Sequence, residues 1–187
     1  MSQTRRAFLK NTGSGLLTFY VAGCKVEVTP KEARQQEIPF QVLTADEARI
    51  LEAFGDVLLP GAAVDGIAHF IDHQLNATPA EQMLMIKYLG VDPPFAPFYS
   101  AGLAALNEAA KTAHGQQFFE LANDQQIEMT GQIAQANPDG WAGPPAPFFY
   151  FVVRNDAVDV VYGTKEGMER LGIPFMAHIE PPSRWGE

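Results

Sequence analysis

The chain has 187 residues, 47% of them apolar, with 14 prolines and 16 glycines. That length allows one loop-rich domain with a hydrophobic core. The formal charge is −9; Arg5, Arg6 and Lys10 lie in the first 23 residues, which hold no acid, so the remainder carries 10 basic against 22 acidic residues. Such an acidic body argues against nucleic-acid binding, which needs Lys and Arg to neutralise phosphate, and disfavours direct adhesion to anionic lipid. The single cysteine excludes an internal disulfide.

In chain order, the first feature is Thr4-Arg5-Arg6-Ala7-Phe8-Leu9-Lys10. It resembles a twin-arginine export signal, an address read by a receptor, with Arg5, Arg6, Phe8 and Leu9 as its signature. That route carries proteins already folded. The chain is therefore expected in the periplasm, membrane-associated, and either holds a cofactor loaded beforehand or leaves docked to a partner that does. Leu16–Cys24 is too short to span a bilayer. Val21-Ala22-Gly23-Cys24 resembles a lipobox, which would make Cys24 a lipidated first residue. The plain alternative is an ordinary export signal with an incidental cysteine. Residues 1–23 are expected as the signal, 24–41 as a flexible tether and 42–187 as the folded domain. Lys25–Phe40 reads as that tether because it is polar and carries Pro30 and Pro39; a disordered tail is the alternative.

Thr44-Ala45-Asp46-Glu47 fits a capping box, and Ile50, Leu51, Phe54, Val57 and Leu58 follow at helical spacing. Pro60-Gly61 ends that helix. A second helix is expected over Gly66–Asn76, with Ile67, Phe70, Ile71 and Leu75 on one side. Thr78-Pro79-Ala80-Glu81 predicts a third, running to Gly90. After the stiff loop Asp92–Pro97, a fourth is expected over Phe98–His114, closed by Gly115. Phe118, Phe119 and Leu121 should enter the core. Asn123 or Asp124 should cap a fifth helix with Ile127 and Ile133 inward. Phe148–Tyr162 has strand-like composition in its first half, but its length favours a helix. The tail from Gly163 should be mostly irregular. The sum is an all-α domain of about five to six helices with long Pro/Gly-rich loops.

Few residues point to chemistry. His69 and His73 lie four apart, the spacing of two metal ligands on one helix face. Phe70, however, stands where a zinc-protease motif has Glu, and two surface histidines are the plainer reading. Paired acids such as Asp46 and Glu47, or Asp156 and Asp159, fit helix caps and solvated faces. One cysteine cannot hold an iron–sulfur cluster, and Cys-x-x-Cys-His for covalent haem is missing. No catalytic, cofactor-binding or metal residue is therefore assigned. Phe148–Phe151 suits a core, whereas Trp141 and Trp185, beside Gly/Pro loops, suit interface anchoring; Tyr162 joins them as a candidate partner contact.

The twin-arginine start, Leu43-Thr44-Ala45-Asp46-Glu47 leading to Val57-Leu58-Leu59-Pro60, Gly66–Asp72, Phe118-Phe119-Glu120-Leu121 before Gln125-Gln126, Val161-Tyr162-Gly163 and Leu171-Gly172-Ile173-Pro174 occur in that order. Together they resemble the gluconate 2-dehydrogenase subunit 3 family. The resemblance implies a mostly helical small subunit without catalytic activity of its own, belonging to a dehydrogenase for sugars, sugar acids or related alcohols. It also implies a FAD-containing large partner of the glucose-methanol-choline type, often with a cytochrome c subunit. The small subunit would aid that flavoprotein's maturation and carry it through the twin-arginine system, and the membrane would be reached through a lipid anchor or the complex. The residues also leave open a lipid-anchored periplasmic binding or scaffold protein without an enzyme partner, and a metal-dependent enzyme using His69 and His73. Thr164–Glu169 is poorer in glycine and aromatics than the family's usual run after Tyr-Gly.

Overall fold

The computed structural model describes residues 17–21 and 24–173. Among them the fold is built from α-helices, with one two-stranded sheet, so the all-α expectation holds. Strand β1, Leu17–Val21, pairs antiparallel with β2, Cys24–Val28, Leu17 opposite Val28 and Val21 opposite Cys24.

Helix α1, Pro30–Gln35, follows at once. The Thr29 hydroxyl accepts from the Glu32 N–H, and the Glu32 carboxylate accepts from the Thr29 N–H at 2.8 Å. Pro30 sits in the first turn, where its missing N–H costs nothing. Ala33 is fully buried, and Ile38 and Leu43 join the core behind it. This corrects the flexible tether expected over 24–41: the segment contains a strand and a capped, packed helix. Its polar composition hid Thr29-x-x-Glu32, the same reciprocal cap as Thr44-x-x-Glu47.

Helix α2, Ala45–Leu58, starts on that second box and buries Ile50, Leu51 and Phe54. Helix α3 is Ile67–Asn76. Gly66, before it, has φ +89°, and a Cβ there would lie 2.2 Å from the Pro30 carbonyl oxygen. Only glycine lets α1 rest on the start of α3; β1 also packs on α3.

The third helix expected from Thr78 is replaced by a turn and a short 3-10 segment, Met85–Leu89. The cause is competition for N–H groups. Gln74 Oε1 accepts from the Met83 N–H at 2.7 Å, and Asp156 Oδ1 accepts from the Met85 N–H at 2.9 Å. An α-helix would send those N–H groups to carbonyls four residues back. Leu84 and Ile86 are still buried, while Met83 is half exposed.

Helix α4, Ala96–His114, ends at Gly115 as expected. Helix α5, Asn123–Ile133, is preceded by Ala122 as its cap rather than by Asn123 or Asp124; Gln125 Oε1 accepts from the Ala122 N–H at 3.1 Å. Ile133 is buried, but Ile127 is 53% exposed, against its expected inward position. Helix α6, Ala146–Tyr162, resolves the ambiguous aromatic run as helix. A short α7, Lys165–Arg170, follows in the segment expected to be irregular, with the Thr164 hydroxyl accepting from the Gly167 N–H.

The core centres on aromatic rings. Phe54 stacks on Phe149 at 5.6 Å and meets Phe118 edge-on at 6.0 Å. Phe98 meets Tyr99 and Phe148 edge-on. These are the favoured aromatic arrangements. Gly102 admits the Phe149 ring, since a Cβ there would lie 2.3 Å from it. Phe149 is thus core and Phe148 packs against it, as expected, whereas Phe151 is 42% exposed.

Candidate functional site

Two buried carboxylates position the loops. Asp72, on α3, accepts from three consecutive backbone N–H groups: Gln41 at 2.9 Å, and Val42 and Leu43 at 2.8 Å each. That triad fixes the chain entering α2, because a backbone N–H buried without an acceptor is costly. Asp156, on α6, is fully buried. Besides the Met85 N–H it accepts the Tyr99 hydroxyl at 2.6 Å. One carboxylate thereby ties α6 to α4 and to the 3-10 segment. Burial raises its pKa from 3.8 to about 7, partly offset by the two hydrogen bonds, while Asp159 pushes it further up. The solvated-face reading of Asp156 is therefore corrected. Its signal was present in the sequence: residues 149, 152, 153, 156 and 160 share one helix face, and all are buried.

His69 is also buried rather than on the surface. Its Nε2 lies 3.1 Å from the Ile38 carbonyl oxygen. A carbonyl only accepts, so Nε2 carries the proton and donates, leaving Nδ1 as the bare acceptor. Burial lowers the His69 pKa, which keeps the ring neutral. Among the described residues, no three His, Cys, Asp or Glu side chains gather as a metal site. The ring lines an open groove of about 410 Å³, with Phe40 against it at 4.6 Å and Arg34 and Arg49 also on its wall. Arg34 is bound to Glu52 at 2.8 Å, and Arg49 lies 3.8 Å over the Phe119 ring. A second groove, of about 430 Å³, lies where α1 meets α7. Asp65 there receives Arg170 at 2.7 Å and Lys31 at 3.4 Å, so its charges are mutually compensated.

The outward side of α6 differs in character. Phe151 is 42% and Val158 39% exposed, with Arg154 exposed between them and Tyr162 half-buried one turn on. Positions 151, 158 and 162 fall on one stripe of a helix with 3.6 residues per turn. Among the described residues, Arg154 has no ion pair, hydrogen bond or ring contact. The adjacent 3-10 segment, which packs on α6, exposes Tyr88 and Leu89. Sequence reasoning named Tyr162 but missed Phe151, Arg154 and Val158, whose signal was their spacing opposite the buried face.

The remaining expected residues are placed as follows. Trp141 is half-buried, its indole N–H donating to the Pro144 carbonyl at 2.6 Å and its ring tilted against Phe149 at 6.4 Å. Cys24 opens β2. Arg5, Arg6, Phe8, Leu9 and Trp185 lie outside the described residues. No helix among the described residues is long and apolar enough to cross a membrane.

No curated protein and no solved structure matches the chain. The sequence profile of gluconate 2-dehydrogenase subunit 3 matches residues 45–176, from the first turn of α2 to beyond α7. A match over that much of the molecule shows that the chain belongs to the gluconate 2-dehydrogenase subunit 3 family, whose members are subunits of multi-subunit dehydrogenases with a larger catalytic partner.

Proposed function

We propose that this chain is the non-catalytic small subunit of a periplasmic, membrane-associated dehydrogenase acting on sugars, sugar acids or related alcohols. Its large partner is a FAD-containing flavoprotein of the glucose-methanol-choline type, with a cytochrome c subunit as a further candidate. The small subunit aids the flavoprotein's maturation and takes it, folded, through the twin-arginine route on the Arg5-Arg6 signal. Cys24 supplies a lipid anchor once residues 1–23, β1 among them, are cleaved off.

The family match over residues 45–176 carries this reading. Two features of the chain support it. The buried carboxylates Asp72 and Asp156 are engaged in holding backbone N–H groups, which is scaffold work. The outward stripe of α6 offers apolar and arginine side chains of the kinds enriched in protein interfaces.

The test is co-purification from membranes of the native host with an affinity-tagged chain. About one flavin per tagged chain, carried by a larger polypeptide identified by mass spectrometry, is expected. An abundant tagged chain with no flavoprotein attached overturns the proposal. Two variants separate its parts. Replacing Arg5 and Arg6 by lysine should leave both polypeptides in the cytoplasm. Cys24→Ala should abolish incorporation of labelled fatty acid; equal labelling of both forms removes the lipid anchor from the reading.

A further inference from the structure

We propose that the large catalytic subunit docks on the outward stripe of α6, with Phe151 and Val158 entering an apolar recess and Arg154 meeting a carboxylate of that subunit. This rests on the reading above, and adds to it the surface that makes the contact.

Three observations point to this occupant. The family is a subunit of a larger assembly, so one face of the molecule is covered by a catalytic partner. The chain beyond the first 23 residues is strongly acidic, with 22 acids against 10 bases, yet Arg154 finds no carboxylate among the described residues. The other cations whose side chains are described are each engaged, Arg49 over the Phe119 ring at 3.8 Å and the rest as follows. Lys31, Arg34, Lys111, Lys165 and Arg170 are each ion-paired within the chain, and Lys87 donates to the Ala80 and Gln82 carbonyls. A lone arginine flanked by Phe151 and Val158 on one stripe is the composition of an interface anchor, since arginine and aromatic side chains dominate interface energetics.

Size decides what the stripe contributes. From Phe151 to Tyr162 it is about 16 Å long and about 10 Å wide. That gives about 160 Å², roughly a fifth of the ~800 Å² per partner that a stable complex buries. The stripe is therefore the centre of a broader contact. The 3-10 segment that packs on α6 also exposes Tyr88 and Leu89, and we count these among the candidates for that broader contact. The helix beneath is held by the Asp156 bonds to Met85 and Tyr99, so the stripe is presented on a rigid element.

The experiment uses full-length tagged chain from the native host, wild type and three variants: Phe151→Ala, Arg154→Glu and, as a control on α5, Ile127→Glu. Each is accepted only if its thermal unfolding matches wild type within a few degrees. Flavin per tagged chain is read after membrane extraction, and affinity is then measured on the separated subunits. The expected result is a loss of about 30-fold or more in affinity for Phe151→Ala and for Arg154→Glu, the effect of a hot-spot residue, with Ile127→Glu unchanged. If wild type and both stripe variants carry the flavoprotein equally, the docking surface is overturned and the proposed function stands. If wild type carries none, the proposed function itself fails. If the stripe variants keep the flavoprotein but turn a self-associated wild-type chain into monomer, the face belongs to a second copy and the inference is overturned.

Discussion

Asp156→Asn isolates a buried ionisation. The carboxylate pKa is 3.8 ordinarily and about 7 in the fold, raised chiefly by burial. A folded-state pKa above the unfolded value means the folded chain holds the proton more tightly. The group's contribution to stability is therefore fully present below about pH 4 and is lost progressively as pH rises through about 7. Over that span the loss is about 4 kcal/mol, at ~1.36 kcal/mol per pH unit, and about 3 kcal/mol of it falls between pH 4.5 and 8. Asparagine keeps an oxygen to accept from the Met85 N–H and places an amide where Oδ2 receives the Tyr99 hydroxyl, which reverses its role and accepts. The variant cannot ionise at this position. Urea unfolding of both proteins at pH 4.5, 6 and 8 gives the stability difference directly. His69, whose lowered pKa costs stability as pH falls below about 6.5, and Asp159, raised by burial, are present in both chains and largely cancel in the difference. The variant should gain about 3 kcal/mol on wild type between pH 4.5 and 8. A difference that changes by less than about 1 kcal/mol over that range refutes a buried carboxylate of raised pKa.

Asp72→Ala strips the acceptor from the Gln41, Val42 and Leu43 N–H groups and should cost about 3–5 kcal/mol in urea unfolding, ~1–3 kcal/mol for the buried Leu43 N–H and about 1 kcal/mol for each of the two part-buried ones; Asp72→Asn should recover part of it. Gly102→Ala puts a methyl 2.3 Å from the Phe149 ring, and thermal unfolding should register a loss of about 1–3 kcal/mol from overpacking. Gly66→Ala meets both a φ of +89° and the Pro30 carbonyl; amide exchange should accelerate across residues 30–38 while the centre of α4 stays protected.

The amphipathic helices were legible because their period is local. The Thr44 box, the buried face of α2, the Gly115 stop and the helical reading of Phe148–Tyr162 needed only the sequence. What escaped detection depends on side chains distant in the chain. Gln74 and Asp156 claim the Met83 and Met85 N–H groups from 9 and 71 residues away, so the helix signalled by Thr78-Pro79-Ala80-Glu81 is replaced by a turn and a 3-10 segment. The helix Pro30–Gln35 was missed for a different reason. Its reciprocal cap is local, but its apolar content is a single buried Ala33 beside Pro30, too little to create a visible period.

The same helical period separates the candidate docking face from the core. On α6 the core face runs through Phe149, Val153, Asp156 and Val160, and the residues opposite are Phe151, Val158 and Tyr162. A stripe that only filled space would tolerate polar side chains, because water satisfies them at no cost, yet two of its positions carry exposed apolar groups that contribute little to folding. Arg154 sharpens the point. An exposed arginine in an acidic molecule pays little to pair on its own surface, and the other described arginines all engage a carboxylate or a ring. Leaving this one unengaged between two exposed apolar side chains costs the isolated chain little and suits the proposed docking to a surface that brings its own carboxylate. The inward face of the same helix, locked by Asp156 to two other elements, then serves the outward one: a rigid stripe loses less conformational entropy on docking than a mobile one.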